Sequence, residues 1–153
     1  MACELMRRGE KVIGVVLIDS PSPFSEKPLP EELIEAVIQA GSHTSPANEH
    51  QTKIVELARI QMSHSTNSLI SYDPLLSGID RNMNPPKVVM LRCRDAYSLT
   101  GIVSESIPFL EDRSDPKAIV SDWEKLTQAN IPVLDIPGHH FEPFHPRNVS
   151  YVG

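Results

Sequence analysis

Three short apolar runs, each cut off by polar or turn-forming residues, constrain this chain more than any other feature. Gly14-Val15-Val16-Leu17-Ile18 runs into Asp19-Ser20-Pro21, Val88-Val89-Met90-Leu91 runs into Arg92, and Ile131 to Ile136 runs into Pro137 and Gly138-His139-His140-Phe141. Apolar residues that run on, instead of alternating with polar ones, read as strands buried on both faces. Such strands imply a parallel sheet, with helical crossovers joining one strand to the next. In an open α/β sheet the site lies beyond the carboxyl ends of the strands. Asp19, Asp95 and the histidines all fall at that edge.

The segments between the runs read as helices and loops. Met1 to Arg8 is a run of good helix formers with no capping residue before it and Gly9 as its stop, so it reads as the last turns of a longer helix. Lys11 to Ile18 is then the first strand. Residues 20–30 contain Pro21, Pro23, Pro28 and Pro30, which forbid a continued helix or central strand. From Glu31 the pattern turns helical, with Leu33, Ile34, Val37 and Ile38 on one face and Gly41 as stop. A second amphipathic helix is expected over Gln51 to Met62, a third around Asn67 to Tyr72, and a turn-rich stretch over 73–86. Together these form a helical insertion between strands. After the second strand, 96–115 reads as irregular, and Asp115-Pro116 starts a helix through Trp123 to Gln128.

Charge and composition exclude several classes of partner. The net charge is −6, and no run of Lys or Arg exceeds Arg7-Arg8, which argues against a polyanion-binding surface and hence against nucleic acid. The two cysteines, Cys3 and Cys93, follow no metal-ligand spacing and are too few for a disulfide scaffold, which fits a reducing compartment. The apolar stretches are far too short to span a membrane, and the amino terminus carries Glu4 and no signal-type apolar region. A cytoplasmic protein is expected. His139, His140 and His145 invite a metal reading, but adjacent histidines point apart on an extended backbone, so neither metal nor cofactor is expected.

An acid and a histidine at one sheet edge suit a nucleophile–histidine–acid machine, in which the acid fixes the imidazole tautomer and the imidazole takes the proton of the attacking hydroxyl. Asp19 and His140 are the first candidates, and they stand 121 positions apart, which leaves room for an inserted lid. Asp95, after the second strand, is the rival acid, and His139 the rival base. Each has a plainer reading. Asp19 could end a strand as a turn residue, Asp95 could be a solvated charge flanked by Arg92 and Arg94, and His139 could be a loop side chain bonded to backbone. Asp135 reads as a strand-end charge facing solvent, with orientation of a histidine as the alternative. Trp123 reads as the anchor of a helix packed on the sheet. No two of the seven glycines are four apart, so the chain contains no Gly-x-Ser-x-Gly elbow. Ser20, Ser104 and Ser106 stand in no elbow and are not credible substitutes.

The segments Met1-Ala2-Cys3-Glu4-Leu5-Met6-Arg7-Arg8-Gly9-Glu10-Lys11-Val12, Val16-Leu17-Ile18-Asp19-Ser20-Pro21-Ser22-Pro23 and Gly138-His139-His140-Phe141 resemble the thioesterase domain of polyketide synthases, especially fungal non-reducing ones. The resemblance implies a partial α/β-hydrolase fold, a parallel sheet with a helical lid insertion over about residues 24–84 whose helices lie within 31–72. It matches Asp19 to the catalytic acid and His140, before Phe141, to the general base. It implies attack by a serine on an acyl thioester held by the phosphopantetheine arm of an acyl carrier protein, followed by hydrolysis or by cyclisation. The family's elbow would fall upstream of Met1, so residues 1–153 are expected to be the C-terminal part of such a domain, inactive alone. The alternatives are a non-catalytic pseudo-hydrolase or carrier-protein interaction module, and a part of another serine esterase, which would be favoured if Asp95 were the essential acid.

Overall fold

The computed structural model describes residues 2–21, 24, 29–42, 49–70 and 86–149. The chain divides into two compact units, one of Met1–Ser25, Asp73–Ser98 and Ile107–Gly153, the other of Glu26–Tyr72 and Leu99–Ser106.

The first unit is a small α/β fold built on three parallel strands in the order β1-β2-β3: β1 (Gly14–Ile18), β2 (Lys87–Cys93) and β3 (Val133–Ile136). Leu17 pairs with Met90, and Met90 with Val133, so these three side chains share one face. That face carries the core. Met90, Ile119, Val120 and Ile131 are buried together, with Leu17, Val88, Phe109, Trp123 and Val133 packed against them. The opposite face differs from the sequence expectation. Val16 and Leu134 alternate onto it and are each 56 % exposed, so β1 and β3 are covered on one side only by described residues.

Helix α1 (Ala2–Arg7) ends as its sequence predicts. Gly9 takes φ +83, its N–H donates to the carbonyl of Met6, and Glu10 N–H reaches back to Leu5, the double closure that a left-handed glycine permits. The strand that follows begins at Gly14, three residues later than the apolar pattern suggested.

In the second unit α2 (Glu31–Ser42) buries Leu33, Ile34 and Ile38 on the face that the spacing predicts. Helix α3 (Glu49–Ile70) corrects the sequence reading in two ways. It is continuous through Asn67, where a separate helix was expected to start, because no proline or glycine interrupts 49–70. It also leaves Ile54, Leu57 and Ile60 largely exposed, so the amphipathic reading of 51–62 fails for these three. Arg59 of α3 forks onto Glu35 of α2, at 2.5 and 2.9 Å. The turn-rich 73–85, and both boundaries of the insertion near 24–28 and 71–84, fall largely outside the described residues.

Returning to the first unit, the helix expected from Asp115 to Gln128 is shorter. Residues 116–120 are turns and α5 spans Ser121–Thr127, with Gln128 closing it in the left-handed region at φ 53. The short α4 (Pro108–Glu111) precedes it, and α6 (Pro146–Val149) lies near the carboxyl end.

Candidate active site

Because the three strands run parallel, the loops after β1, β2 and β3 emerge at one edge, and each delivers a residue of the site. Asp19 is the first residue beyond β1. Its N–H still donates to Leu91 of β2 at 2.7 Å, but its φ of +42 turns the chain out of the sheet. A left-handed backbone is unusual for any residue but glycine and is tolerated best by Asp and Asn. Trp123 of α5 holds the outgoing loop, its indole N–H donating to the carbonyl of Pro21 at 2.9 Å. The Asp19 side chain is 1 % exposed.

The loop after β3 brings the histidine. Gly138 takes φ +90, and a β-carbon there would lie 2.5 Å from Nδ2 of Asn148, which donates to the carbonyl of Glu142. Only glycine fits. Asp95, beyond β2, receives the Gly138 N–H on Oδ2 at 2.9 Å and returns its own N–H to the Gly138 carbonyl at 3.0 Å. His140, two residues on, then sets Nδ1 2.9 Å from Asp19 Oδ2. The ring stands edge-on to Phe109 and Phe141, with centroids 5.0 Å from each.

The structure thus brings Asp19 and His140 together across 121 positions, while Asp95 is spent on the Gly138 backbone and on Arg94. His139 turns elsewhere. Its Nδ1 accepts the Phe141 N–H, its Nε2 lies 3.4 Å from Glu142, and its ring stands edge-on to Tyr97.

Arg113, which the sequence reading passed over, is a second side-chain partner of Asp19. It comes from the segment between α4 and α5 and forks onto the carboxylate, Nη1 to Oδ1 at 2.9 Å and Nη2 to Oδ2 at 3.0 Å. Cys93 N–H adds a bond to Oδ1 at 2.9 Å. Burial alone would raise the pKa of Asp19. The hydrogen bond from His140, the charge of Arg113 and the Cys93 N–H outweigh it and hold the carboxyl below its ordinary range. Asp19 is therefore an anion at neutral pH and can only accept, so the proton it shares with His140 sits on Nδ1 of the ring. His140 Nε2 has no hydrogen-bond partner among the described residues, and the side chain is 27 % exposed.

A second ion pair lies beside the site. Arg92, which flanks Asp95 in the sequence, is buried in β2. Asp135, read as a strand-end charge facing solvent, is indeed 46 % exposed, and it also receives the Arg92 guanidinium on both oxygens at 2.7 and 3.0 Å. A charge inside an apolar strand run signals a buried partner. That signal stood in the sequence at Arg92, whereas Arg113, within Glu111-Asp112-Arg113-Ser114-Asp115, looked like any solvated loop charge. No group of three His, Cys, Asp or Glu among the described residues is arranged to hold a metal ion, and no described helix is long and apolar enough to cross a membrane.

No family model and no solved structure matches the chain. Curated proteins do. Over 97% of its length the chain is 35% identical to an orsellinic acid synthase of Beauveria bassiana, of which it covers 8%. Over 99% of its length it is 30% identical to the non-reducing polyketide synthase terA of Aspergillus terreus, of which it covers 7%. Over 91% of its length it is 29% identical to the thioesterase frbD of a Dothideomycetidae species, covering 50% of that protein. The chain thus spans less than a tenth of the synthases it matches and half of the thioesterase. Over nearly its whole length, then, the chain is similar both to fungal non-reducing polyketide synthases and to a thioesterase, which supports a polyketide-synthase thioesterase-like region.

Proposed function

We propose that Asp19 and His140 are the acid and base of an acyl-thioesterase of the α/β-hydrolase type, with a serine nucleophile contributed by polypeptide outside these 153 residues. The observation that carries the reading is the 2.9 Å bond between a buried, ionised carboxylate and His140 Nδ1, which occupies Nδ1 and leaves Nε2 as the ring nitrogen that can exchange a proton with a nucleophile.

In this reading Nε2 accepts the serine proton as the oxygen attacks the thioester carbonyl. Asp19 stabilises the imidazolium that forms without itself becoming protonated. The ring then returns the proton to the departing thiolate, leaving an acyl-enzyme and a free thiol. Water, or an oxygen or carbon nucleophile of the acyl chain itself, completes release. The substrate would be a polyketide acyl chain on the phosphopantetheine arm of an acyl carrier protein, in the cytoplasm, and the helices within 31–72 would be the lid over it. Similarity to fungal non-reducing synthases and to a thioesterase supports this substrate class.

The test is acyl-thioester turnover by the full-length protein. Asp19→Asn and His140→Ala should each lower kcat by about 10³-fold or more, as removal of a triad member does. Asp95→Asn and His139→Gln should stay within about tenfold, since neither touches the reacting proton. Near-normal turnover in the first two, with the folded circular-dichroism spectrum retained, overturns the assignment. Loss with Asp95→Asn alone would favour an esterase using the other acid.

A further inference from the structure

We propose that Arg113 is the positioning residue of the acid–histidine pair: its fork fixes the plane of the Asp19 carboxylate so that Oδ2 faces His140 Nδ1, and Arg92 with Asp135 holds Arg113 in place. The inference rests on the proposed function for its catalytic meaning, but its geometry stands independently.

Four donors meet the Asp19 carboxylate. Oδ1 takes Cys93 N–H and Arg113 Nη1, and Oδ2 takes Arg113 Nη2 and His140 Nδ1. A carboxylate on a lone donor can rotate about its last bond. A planar guanidinium that forks onto both oxygens removes that freedom, because the two planes must align. The fork therefore determines which direction from Oδ2 remains open, and His140 fills it.

Arg113 is held to this task at the expense of its own bonding. The side chain is 7 % exposed, and its Nε is buried without a hydrogen-bond partner among the described residues. Leaving a buried donor unpaired is destabilising, a cost that a purely stabilising ion pair would be expected to avoid. Its guanidinium carbon lies 4.9 Å from the centroid of Phe109, the ring that also meets His140 edge-on, so one aromatic side chain orients both cation and imidazole.

The backbone of Arg113 is fixed from the sheet. Arg92 Nη1 donates to the Arg113 carbonyl at 3.0 Å, while Arg92 Nε and Nη2 fork onto Asp135. On the other side of Arg113, Ser114 N–H and Oγ both donate to Asp112 Oδ1, at 2.9 and 2.6 Å, closing the turn. In this proposal Asp135 acts on His140 only indirectly, through two arginines.

The decisive readout is the tautomer of His140, taken from the ¹⁵N shifts of its ring nitrogens at mildly alkaline pH and assigned by their loss in His140→Gln. The unaltered protein should show the Nδ1–H form. Arg113→Met should move the ring toward the tautomer mixture of free imidazole. Arg113→Lys, which keeps charge but cannot fork, should give an intermediate mixture, and so should Asp135→Asn. In the full-length protein kcat should fall about 10- to 100-fold for Arg113→Met with little change in KM, the cost of a misplaced catalytic group. If Arg113→Met unfolds, Arg113→Lys and Asp135→Asn carry the test. A pure Nδ1–H tautomer in the folded Arg113 variants overturns the proposal, as does full restoration by lysine, which would make charge alone sufficient. If turnover survives His140→Ala while the tautomer shifts as expected, the proposed function falls and the positioning role stands.

Discussion

Removing the cation from beside Asp19 should be among the most damaging single substitutions in this fold, and its size can be worked out from the geometry. Arg113→Met deletes two charge-assisted bonds of 2.9 and 3.0 Å to a carboxylate that is 1 % exposed. Each such bond contributes about 1.5–3 kcal/mol, and breaking a buried pair from one side costs about 3–5 kcal/mol because the surviving charge stays buried. We expect about 4 kcal/mol. Asp19→Asn should cost about as much, since it strands Arg113 and weakens the His140 bond. The double variant should cost clearly less than the sum, giving a coupling of about 2 kcal/mol or more. The exposed pair Arg147–Glu142 is the control, and its loss should cost under about 1 kcal/mol. Urea unfolding of the four proteins measures the cycle. The sign with pH follows from Asp19. Its folded value lies below the unfolded one, so its contribution is complete above the ordinary carboxylate range and is lost as pH falls through the folded value. The cost of Arg113→Met should therefore shrink in acid. A coupling within about 0.5 kcal/mol of zero, or a penalty indifferent to pH, would refute the reasoning.

Two other substitutions or probes follow from single observations. Gly138→Ala should destabilise by about 2 kcal/mol, since φ is +90 and the new carbon would meet Asn148 at 2.5 Å; a thermal melt checks the loss, and an unchanged midpoint would contradict the close approach. The Cys93 thiol, buried beneath the Asp19 charge and pushed up to about 12, first by burial and then by that charge, should resist alkylation in the folded protein and react once urea unfolds it. Labelling of Cys93 in the native state at the rate of a free thiol would count against the burial.

Much of the site was legible because its signals are local. Strand ends, prolines and glycines are written in neighbouring residues, so Asp19 beyond β1, the Gly9 stop and the buried stripe of α2 could each be placed from short windows of sequence. Other features were not local. Whether a strand is covered on one face or both depends on what packs against it, and Val16 and Leu134 are apolar yet exposed. The exposed apolar residues of α3 make the same point, because periodicity records a stripe and not what it meets.

The sequence by itself determined the three strand segments, the parallel sheet and the pair of residue types that could do acid–base chemistry at its edge. Only the tertiary structure decided which acid meets which histidine. Asp19 and Asp95 both follow apolar strands, and His139 and His140 are adjacent, so local pattern cannot separate them. A left-handed turn at Asp19 and the Gly138 loop direct one carboxylate to one ring, while Asp95 goes to a backbone N–H. Arg113 belongs wholly to the second category. An arginine between acidic neighbours in a loop looks solvated until folding closes a separation of 94 residues and removes the water that would otherwise screen its charge.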